Sequence, residues 1–311
     1  MSDNIAIKVS NISKSFKLPH EKHSSIKSVV INRFRIKKTF EKQKVLNDIS
    51  FALNKSRTLS IVGASGCGKS TLLRIISGIL PQVRSHYLSG KLIIGGQTPD
   101  QYRKSGRLAF MFQEPTLMPN LTVKENIGFP LKIKGINDNS KVENLLDIVG
   151  LTEFKDYLPK QLSGGMKTRV ALARSFVTEP ELLLLDEPFS ALDIAWKSNL
   201  YTELENLVEQ YNTTVILVTH DVQEALLLSN SVIALNNLGR IQESWSIDTD
   251  RSVTERVQDI SGFMGEIYSE YMLPIQDAII KGKNIRYENA KCQINPVVDT
   301  ERSKNEKVDV V

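Results

Sequence analysis

Apolar residues recur with two different periods along the chain, and these periods predict its secondary structure. Short apolar runs with the spacing of β-strands occupy residues 5–9, 45–53, 59–62, 91–94, 108–113, 182–185, 215–218, 232–235 and 240–243. Helical spacing occupies residues 70–80, 123–129, 141–149, 166–177, 198–210 and 222–228. Since strands and helices alternate over much of the chain, we expect an α/β fold with a mostly parallel sheet.

Three regions depart from this alternation. The first two predicted strands favour an antiparallel edge sheet, with a basic insertion at residues 17–44 between them. Predicted helices cluster at about residues 115–165 and suggest a helical subdomain. The main domain is therefore expected at residues 1–245, followed by a C-terminal extension at 246–311. This extension has helical spacing over 253–271 and a polar end at 299–311 that we expect to be disordered.

Composition excludes several classes of protein. Apolar residues form 41% of the 311 residues, but no apolar run approaches the length of a membrane span. The first residues lack the apolar core of a secretion signal, so we expect the protein to stay in the cytosol. Cys67 and Cys292 are the two cysteines, too few for a disulfide framework or a zinc site.

The positive charge is concentrated in the insertion. Lys and Arg between residues 17 and 44 outnumber Glu21 and Glu41 by nine to two, so +7 of charge lies there and −2 elsewhere, out of a total of +5. The insertion is either a solvated loop or a short amphipathic helix that binds anionic lipid. No basic element with stacking aromatic residues is visible, so we expect no nucleic-acid partner.

A glycine-rich segment lies between the strand predicted at 59–62 and the helix predicted at 70–80. It has the phosphate-binding pattern Gly-x4-Gly-Lys-Ser, in which backbone N–H groups and a helix N-terminus surround a phosphate. We expect Lys69 to contact the β- and γ-phosphates and Ser70 to bind Mg²⁺. The predicted nucleotide-binding residues are Gly63, Ala64, Ser65, Gly66, Cys67, Gly68, Lys69, Ser70 and Thr71.

Two carboxylates and a histidine follow later apolar runs. Asp186 ends a predicted buried strand, at the sheet edge where open α/β folds bind ligands, and we expect it to hold Mg²⁺. Glu187 is placed to orient or deprotonate an attacking water, although both acids could instead be helix-capping charges. His220 follows the run at 215–218 and is predicted to contact the γ-phosphate, with a structural role as the alternative.

A second glycine motif, Leu162-Ser163-Gly164-Gly165, precedes the helix predicted at 166–177. A serine hydroxyl and glycine N–H groups at a helix start can stabilise charge on the γ-phosphate, or can simply cap the helix. A phosphate site in the same subunit does not need this motif. It therefore suggests an ATPase that a second copy of the chain completes.

Together these motifs resemble the ATP-binding cassette (ABC) family over about residues 45–240. The residues that carry the resemblance are the phosphate loop, Gln113, Leu162–Gly165, Leu185–Glu187, Ser190, Ala191, Leu192, Asp193 and His220. The resemblance implies a P-loop NTPase fold. It also implies that Gln113 senses Mg²⁺ and the attacking water while facing a membrane partner. Ser163, Gly164, Gly165 and Asp193 would contact ATP held by the other subunit.

Two positions limit the resemblance. Met166 stands where the family most often has Gln, a variation typical of importers of nitrate, sulfonate and taurine. The family also stacks adenine on an aromatic residue upstream of the phosphate loop. Phe16 has the familiar local context and Phe40 the familiar spacing, so either residue could stack on the base.

The resemblance therefore implies the energy-coupling ATPase of a bacterial importer of a small anion. It would use ATP and Mg²⁺, pair with a second ATPase subunit and bind separate permease subunits that receive cargo from a substrate-binding protein. Its place would be peripheral, on the cytoplasmic side of the inner membrane. An exporter ATPase, or an ABC ATPase acting on nucleic acid or the ribosome, is the alternative. The lack of an Asn-Lys-x-Asp motif argues strongly against a P-loop GTPase.

Overall fold

Two sheets organise the protein, in a computed structural model that describes residues 4–17, 42–80, 88–190, 192, 194–247 and 251–284. The strands are β1 Ile5–Lys17, β2 Lys42–Asn54, β3 Thr58–Gly63, β4 Leu88–Ile94, β5 Leu108–Met111, β6 Leu182–Asp186, β7 Thr214–Val218, β8 Ser231–Leu235 and β9 Ile241–Ser246. The helices are α1 Lys69–Ile76, α2 Pro99–Lys104, α3 Val123–Ile133, α4 Asn139–Ile148, α5 Gly164–Phe176, α6 Ile194–Tyr211, α7 Val222–Leu228, α8 Val253–Gln258, α9 Ile260–Ile267 and α10 Leu273–Asn284.

The larger sheet has the strand order β5-β6-β7-β3-β8-β9, and only β9 runs antiparallel to its neighbour. Every residue of β3, β6 and β7 is buried. Such strands are covered on both faces, which explains why they read as continuous apolar runs rather than as an alternating pattern. The predicted α/β fold of the P-loop NTPase type is therefore confirmed.

The smaller sheet is antiparallel, with the order β2-β1-β4. It contains the two predicted edge strands and adds β4 as a third. Lys17 and Lys42 pair with each other at the end of the sheet, so the strands run further into the basic segment than predicted. The remainder of that segment, with Phe40, lies outside the described residues, and both interpretations of it stay predictions.

Two helices end at different residues from those predicted. Helix α1 ends at Ile76 rather than near Leu80, because Gly78 adopts a left-handed φ of 69° that stops the helix before Pro81. Helix α3 continues through Pro130 to Ile133 instead of ending at Phe129. A proline inside a helix costs about 3 kcal/mol, and the buried apolar face of α3 offsets this cost.

The loop before α3 is held by the amide of Asn126, which is fully buried. Its Nδ2 donates to the carbonyl oxygens of Met118, Leu121 and Thr122, and its Oδ1 accepts from the Met118 N–H. The Thr122 side chain and Glu125 cap the helix reciprocally. Helices α3 and α4, followed by short 3₁₀ turns at Thr152–Phe154 and Pro159–Gln161, occupy the region predicted as helical.

The chain after β9 forms α8, α9 and α10, with a π-helical stretch at Tyr268–Met272 between the last two, where a single stretch of helical spacing was predicted at 253–271. Helix α8 packs on α6 and α7, and α10 packs on the larger sheet. The predicted stretch is interrupted at Asp259, whose side chain accepts from the Gly262 N–H and starts α9. Phe263 and Ile275 are buried in the same apolar core as Val232 of β8. The polar end predicted to be disordered lies outside the described residues.

The buried ring of Phe263 provides a test of how far the C-terminal helices contribute to the core. Phe263 is 0% exposed, and the Arg256 guanidinium lies 5.3 Å from its ring centroid. Phe263→Ala should lower the free energy of unfolding by about 3–5 kcal/mol, as expected for a large ring deleted from a core. The measurement is urea unfolding followed by circular dichroism.

Tyr268→Ala is the matched control, because Tyr268 is 49% exposed in the neighbouring turn. Its effect should stay within about 0.5 kcal/mol. Equal losses for the two variants would show that α9 is not part of the core.

Candidate nucleotide-binding site

The phosphate loop leaves the end of β3, in the interior of the larger sheet, and leads into α1. Gly63 and Gly68 have φ of 152° and 107°, which favour glycine. A Cβ at Gly63 would lie 2.5 Å from the Leu235 carbonyl oxygen, and one at Gly68 would lie 2.9 Å from the Val45 carbonyl oxygen. Both ends of the loop therefore lack room for any side chain.

The Lys69 side chain is buried inside this loop. Its Nζ donates to the carbonyl oxygens of Gly63 at 2.8 Å and Ala64 at 3.2 Å. It also lies 3.9 Å from Glu187 Oε1. The loop thus holds a buried ammonium group against two of its own carbonyl oxygens, and this positive charge favours phosphate oxygens.

Cys67 occupies the middle of the loop without contributing a reactive group. Its side chain is buried, and burial raises the pKa of the thiol. Ser65 and Gly66 are exposed, and Thr71 lies in the first turn of α1. The predicted residues of the loop therefore form one continuous turn from β3 into α1, with its tip exposed and its two ends buried.

Ser70 and Asp186 meet at the start of α1. The Ser70 Oγ donates to Asp186 Oδ1 at 2.8 Å. Burial raises the pKa of the Asp186 carboxyl, while the hydrogen bond from Ser70 opposes that rise. A hydroxyl and a partly desolvated carboxylate are hard oxygen donors of the kind that Mg²⁺ takes alongside substrate phosphates.

Glu187 is the centre of a second group of side chains. Its Oε2 accepts from Gln113 Nε2 at 3.3 Å and lies 3.2 Å from His220 Nδ1. Its backbone has a left-handed φ of 47° and its N–H donates to the Val218 carbonyl oxygen. The carboxylate is thus held between an amide from one side and an imidazole from the other.

The strand order explains why these residues converge. Gln113 follows β5, Asp186 and Glu187 close β6, His220 follows β7, and the phosphate loop follows β3. These four strands are adjacent and parallel, so their carboxyl ends lie side by side. Residues far apart in sequence therefore share one edge of the sheet, the edge at which open α/β folds bind ligands.

Two supporting residues were missed by the sequence analysis. Arg174 on α5 donates to the carbonyl oxygens of Pro115 at 2.8 Å and Thr116 at 3.0 Å, which holds the loop after Gln113. Burial lowers the pKa of this guanidinium. Glu224 on α7 accepts from the Thr219 hydroxyl at 2.6 Å and from Lys197 Nζ at 2.6 Å. Their spacing in sequence offered no signal, because both act on residues of other elements.

The second glycine motif begins α5, away from the phosphate loop. The Ser163 Oγ accepts from the Met166 N–H at 3.2 Å, so the serine caps the helix. A Cβ at Gly164 would meet nothing within 4 Å, and one at Gly165 would meet only Leu192 Cδ2 at 3.6 Å. The motif lines a cleft of about 410 Å³. Of the described residues, Lys69, Ser70 and Glu187 do not line this cleft.

Of the two aromatic candidates for adenine stacking, only Phe16 is described. It is exposed near the end of β1, pairs with Gln43 of β2, and lies with its ring centroid 5.0 Å from Lys14 Nζ. Strand β2 also contacts the phosphate loop near Gly68. Phe40 and Asp193 lie outside the described residues.

Comparisons with known proteins agree with this geometry. The family model described as ABC transporter matches residues 46–190. An aliphatic sulfonates import ATP-binding protein, SsuB of Bacillus cereus, is 43% identical over 205 residues, which cover 65% of this chain and 79% of that protein. SsuB 2 of Pseudomonas syringae pv. tomato is 44% identical over 201 residues, covering 65% and 80%.

The solved structures include a dimer of the ATP-binding cassette MJ0796 in a post-hydrolysis state with ADP and Pi bound. It matches with a TM-score of 0.63 at 26% identity and covers 78% of this chain and 99% of that chain. Within the part of the chain that the structure describes, no helix has the length and apolar character needed to span a membrane.

The buried carboxylate of Asp186 predicts a pH-dependent effect on stability. The pKa of Asp186 is higher in the folded protein than in the unfolded one. Its ionisation therefore lowers the free energy of unfolding as the pH rises above the unfolded pKa of about 3.9. Asp186→Asn removes that charge. In EDTA, the melting temperature of the variant relative to wild type should therefore increase between pH 4 and pH 7.

Asp186→Asn should also lose the additional thermal stabilisation that Mg²⁺ gives the ATP-bound protein. Thermal shift measurements across this pH range, with and without Mg·ATP, test both effects. A constant difference in melting temperature from pH 4 to pH 7 would contradict the assigned burial of the charge.

Proposed function

The chain belongs to the ABC transporter family and is an ATPase, and we propose that it is the energy-coupling subunit of a bacterial importer for small organic sulfonates. The observation that carries the proposal is the convergence of Lys69, Ser70, Glu187, Gln113 and His220 at one edge of the sheet. The cargo follows from the relatives, which are named as import ATP-binding proteins for aliphatic sulfonates.

In the proposed mechanism, ATP hydrolysis depends on the carboxylate of Glu187. It would accept hydrogen bonds from the attacking water and orient or deprotonate it. Gln113 and His220 contact the same carboxylate oxygen and restrict its position. His220 is exposed enough to reach the γ-phosphate as well, since 56% of its side chain is accessible.

The phosphates would be held by the loop itself. Lys69 would exchange its bonds to the Gly63 and Ala64 carbonyl oxygens for bonds to β- and γ-phosphate oxygens. The N–H groups of residues 63–71 would supply the remaining donors. Phe16 would offer the aromatic face for adenine, with Phe40 as the alternative.

Mg²⁺ fits the residues present. Ser70 and Asp186 already place a hydroxyl and a carboxylate in contact, and Gln113 can supply an amide oxygen from the neighbouring strand end. When bound, Mg²⁺ neutralises charge on the β- and γ-phosphates. The protein's own contribution is to hold these oxygen donors at the start of α1.

A second copy of the chain would complete the site. A Cβ at Gly164 would have no neighbour within 4 Å among the described residues, and one at Gly165 would make only ordinary van der Waals contact with Leu192. The contacts of the described residues therefore do not account for the absence of side chains there. A surface free of Cβ atoms allows another molecule to approach the backbone closely. We propose that Ser163, Gly164, Gly165 and Asp193 contact ATP held by the partner in a two-fold dimer, the state in which the MJ0796 cassette was solved.

The membrane partner would dock beside the loop that carries Gln113. A cleft of about 170 Å³ lies there, bounded by Phe112, Pro115, Pro130 and Arg174. Phe112 is 38% exposed. Separate permease subunits, supplied by a substrate-binding protein, would place this chain peripherally on the cytoplasmic side of the inner membrane, with no nucleic-acid partner.

Mixing two inactive variants tests the shared site. Lys69→Ala should lose phosphate binding, and Gly165→Asp should block the surface offered to the partner. In a mixed dimer, one of the two sites combines an intact phosphate loop with an intact Ser163–Gly165 surface. We therefore expect the mixture to regain ATPase activity, up to about half the wild-type level for each mixed dimer if the sites act independently.

The two variants measured alone provide the controls, and both should be nearly inactive. The melting temperature of Gly165→Asp should stay close to wild type, because a Cβ there would make only ordinary van der Waals contact with Leu192. Absence of activity in the mixture, despite mixed dimers shown by native mass spectrometry, would contradict a site shared between subunits.

The importer proposal is tested in the membrane. Glu187→Gln should bind ATP without turnover and should retain its permease during detergent purification. The wild-type ATPase, reconstituted with that permease and its binding protein, should be stimulated several-fold by aliphatic sulfonates and not by sugars. Recovery with ribosomes or DNA and no permease would exclude the proposal.

A further inference from the structure

We infer that the C-terminal helix α10 supports the phosphate loop through the β8–β9 turn, with Asn237 as the positioning residue. Docking of this helix would then be coupled to nucleotide affinity. The inference rests on the nucleotide site assigned above. It adds a regulatory contact from a part of the chain that lies outside that site.

The end of α10 is capped by the β8–β9 turn. The last four carbonyl groups of a helix have no partner inside the helix. The Asn237 N–H donates to the Gly282 carbonyl oxygen at 3.2 Å, and Asn237 Nδ2 donates to the Lys283 carbonyl oxygen at 2.7 Å. One asparagine therefore satisfies two of these groups and joins the helix to the turn.

The helix and the turn also make close van der Waals contact. A Cβ at Gly282 would lie 2.9 Å from Asn236 Cβ, so the contact requires glycine at this position. Asn236 is buried, and its Oδ1 accepts from the N–H groups of Leu238 and Arg240. The residue that α10 touches is thus the one that shapes the turn.

The other side of the turn presses on β2. Gly239 has a left-handed φ of 65°, and a Cβ there would lie 1.9 Å from the Val45 carbonyl oxygen. The Gly239 carbonyl oxygen accepts from the Asn47 N–H at 2.8 Å. The turn and β2 are therefore in backbone contact, with no side chain between them to absorb a displacement.

Strands β2 and β8 in turn limit both ends of the phosphate loop. The Val45 carbonyl oxygen contacts Gly239 and also lies beside Gly68. Of all backbone atoms it would be the nearest to a Cβ at Gly68. The Leu235 carbonyl oxygen, at the end of β8, approaches Gly63 in the same way. A shift of the turn would consequently reach Gly63 and Gly68, the two residues that set the curvature around Lys69.

The remaining face of α10 keeps the helix on the sheet. Ile275 is 0% and Ala278 is 4% exposed, within the core that also contains Val232 and Ala234 of β8. This packing makes α10 a rigid support rather than a loose tail. Because coupling between two sites is reciprocal, nucleotide binding should also strengthen the docking of α10.

The test measures Mg·ADP affinity by calorimetry, because ADP needs the phosphate loop of one chain and is not hydrolysed. Asn237→Ala removes the side-chain bond to α10 and should weaken Mg·ADP binding about three- to tenfold. Gly282→Ala should act in the same direction by crowding Asn236. Since alanine favours helix more than glycine does, a loss of affinity in that variant cannot come from a weaker α10.

Lys134→Ala is the control. Lys134 Nζ donates to the Gly106 carbonyl oxygen at 2.9 Å, a bond of similar length between distant segments on another part of the surface. This variant should bind Mg·ADP as wild type does. In the wild-type protein, saturating Mg·ADP should slow hydrogen exchange of the Asn237 N–H.

The outcomes separate this inference from the assignment of the nucleotide site. Lys69→Ala should lose Mg·ADP binding whether or not α10 has a role, and its retention of binding would overturn the nucleotide site. If Lys69→Ala loses Mg·ADP binding while Asn237→Ala and Gly282→Ala bind Mg·ADP as wild type does, the inferred role of α10 is wrong and the assignment of the nucleotide site is unaffected. An exchange rate of the Asn237 N–H that Mg·ADP does not change would also overturn the inferred role of α10. This measurement uses the wild-type protein, so it does not depend on whether a variant folds.

Discussion

Parallel pairing of β5, β6, β7 and β3 is the constraint on which the rest of the structure depends. Strands β3, β6 and β7 are buried throughout and β5 is partly buried, and the chain leaves each strand at the same edge of the sheet. Polar groups therefore collect at that edge with a low-dielectric core directly beneath them. The raised pKa of Asp186 is a direct consequence, because its carboxyl sits where the buried strand ends.

Glycine residues occur in two different steric environments in this protein. At Gly63, Gly68 and Gly239 a side chain would collide with backbone of the same chain, so these residues serve the internal fit of the phosphate loop. At Gly164 a Cβ would have no neighbour within 4 Å, and at Gly165 it would make only ordinary contact with Leu192, so the described residues supply no steric reason for glycine. The first group shapes a site within one subunit. The second leaves a surface that another molecule can approach.

The helical region is connected to the catalytic edge through few contacts. Arg174 on α5 holds the backbone that follows Gln113, while α5 also begins with the Ser163–Gly165 surface. One helix therefore links the surface proposed to meet a partner's nucleotide with the loop that contacts Glu187. Towards the β8–β9 edge, on the same face of the sheet, α10 meets the turn that contacts β2 beside the phosphate loop. Both ends of the site are thus supported by elements remote in sequence.

Patterns in the sequence were enough to predict the α/β class, the phosphate loop, the Asp186-Glu187 pair and the likeness to ABC ATPases. They were enough because buried strands read as apolar runs and phosphate binding requires glycines at fixed spacing. Tertiary structure alone decided which strands are neighbours, and so brought Gln113 and His220 to one carboxylate. It also placed Arg174 and Asn237, whose partners lie on other elements. The local spacing of apolar residues and glycines predicts the conformation of one segment. The contacts of Arg174 and Asn237 depend instead on how distant segments pack against each other.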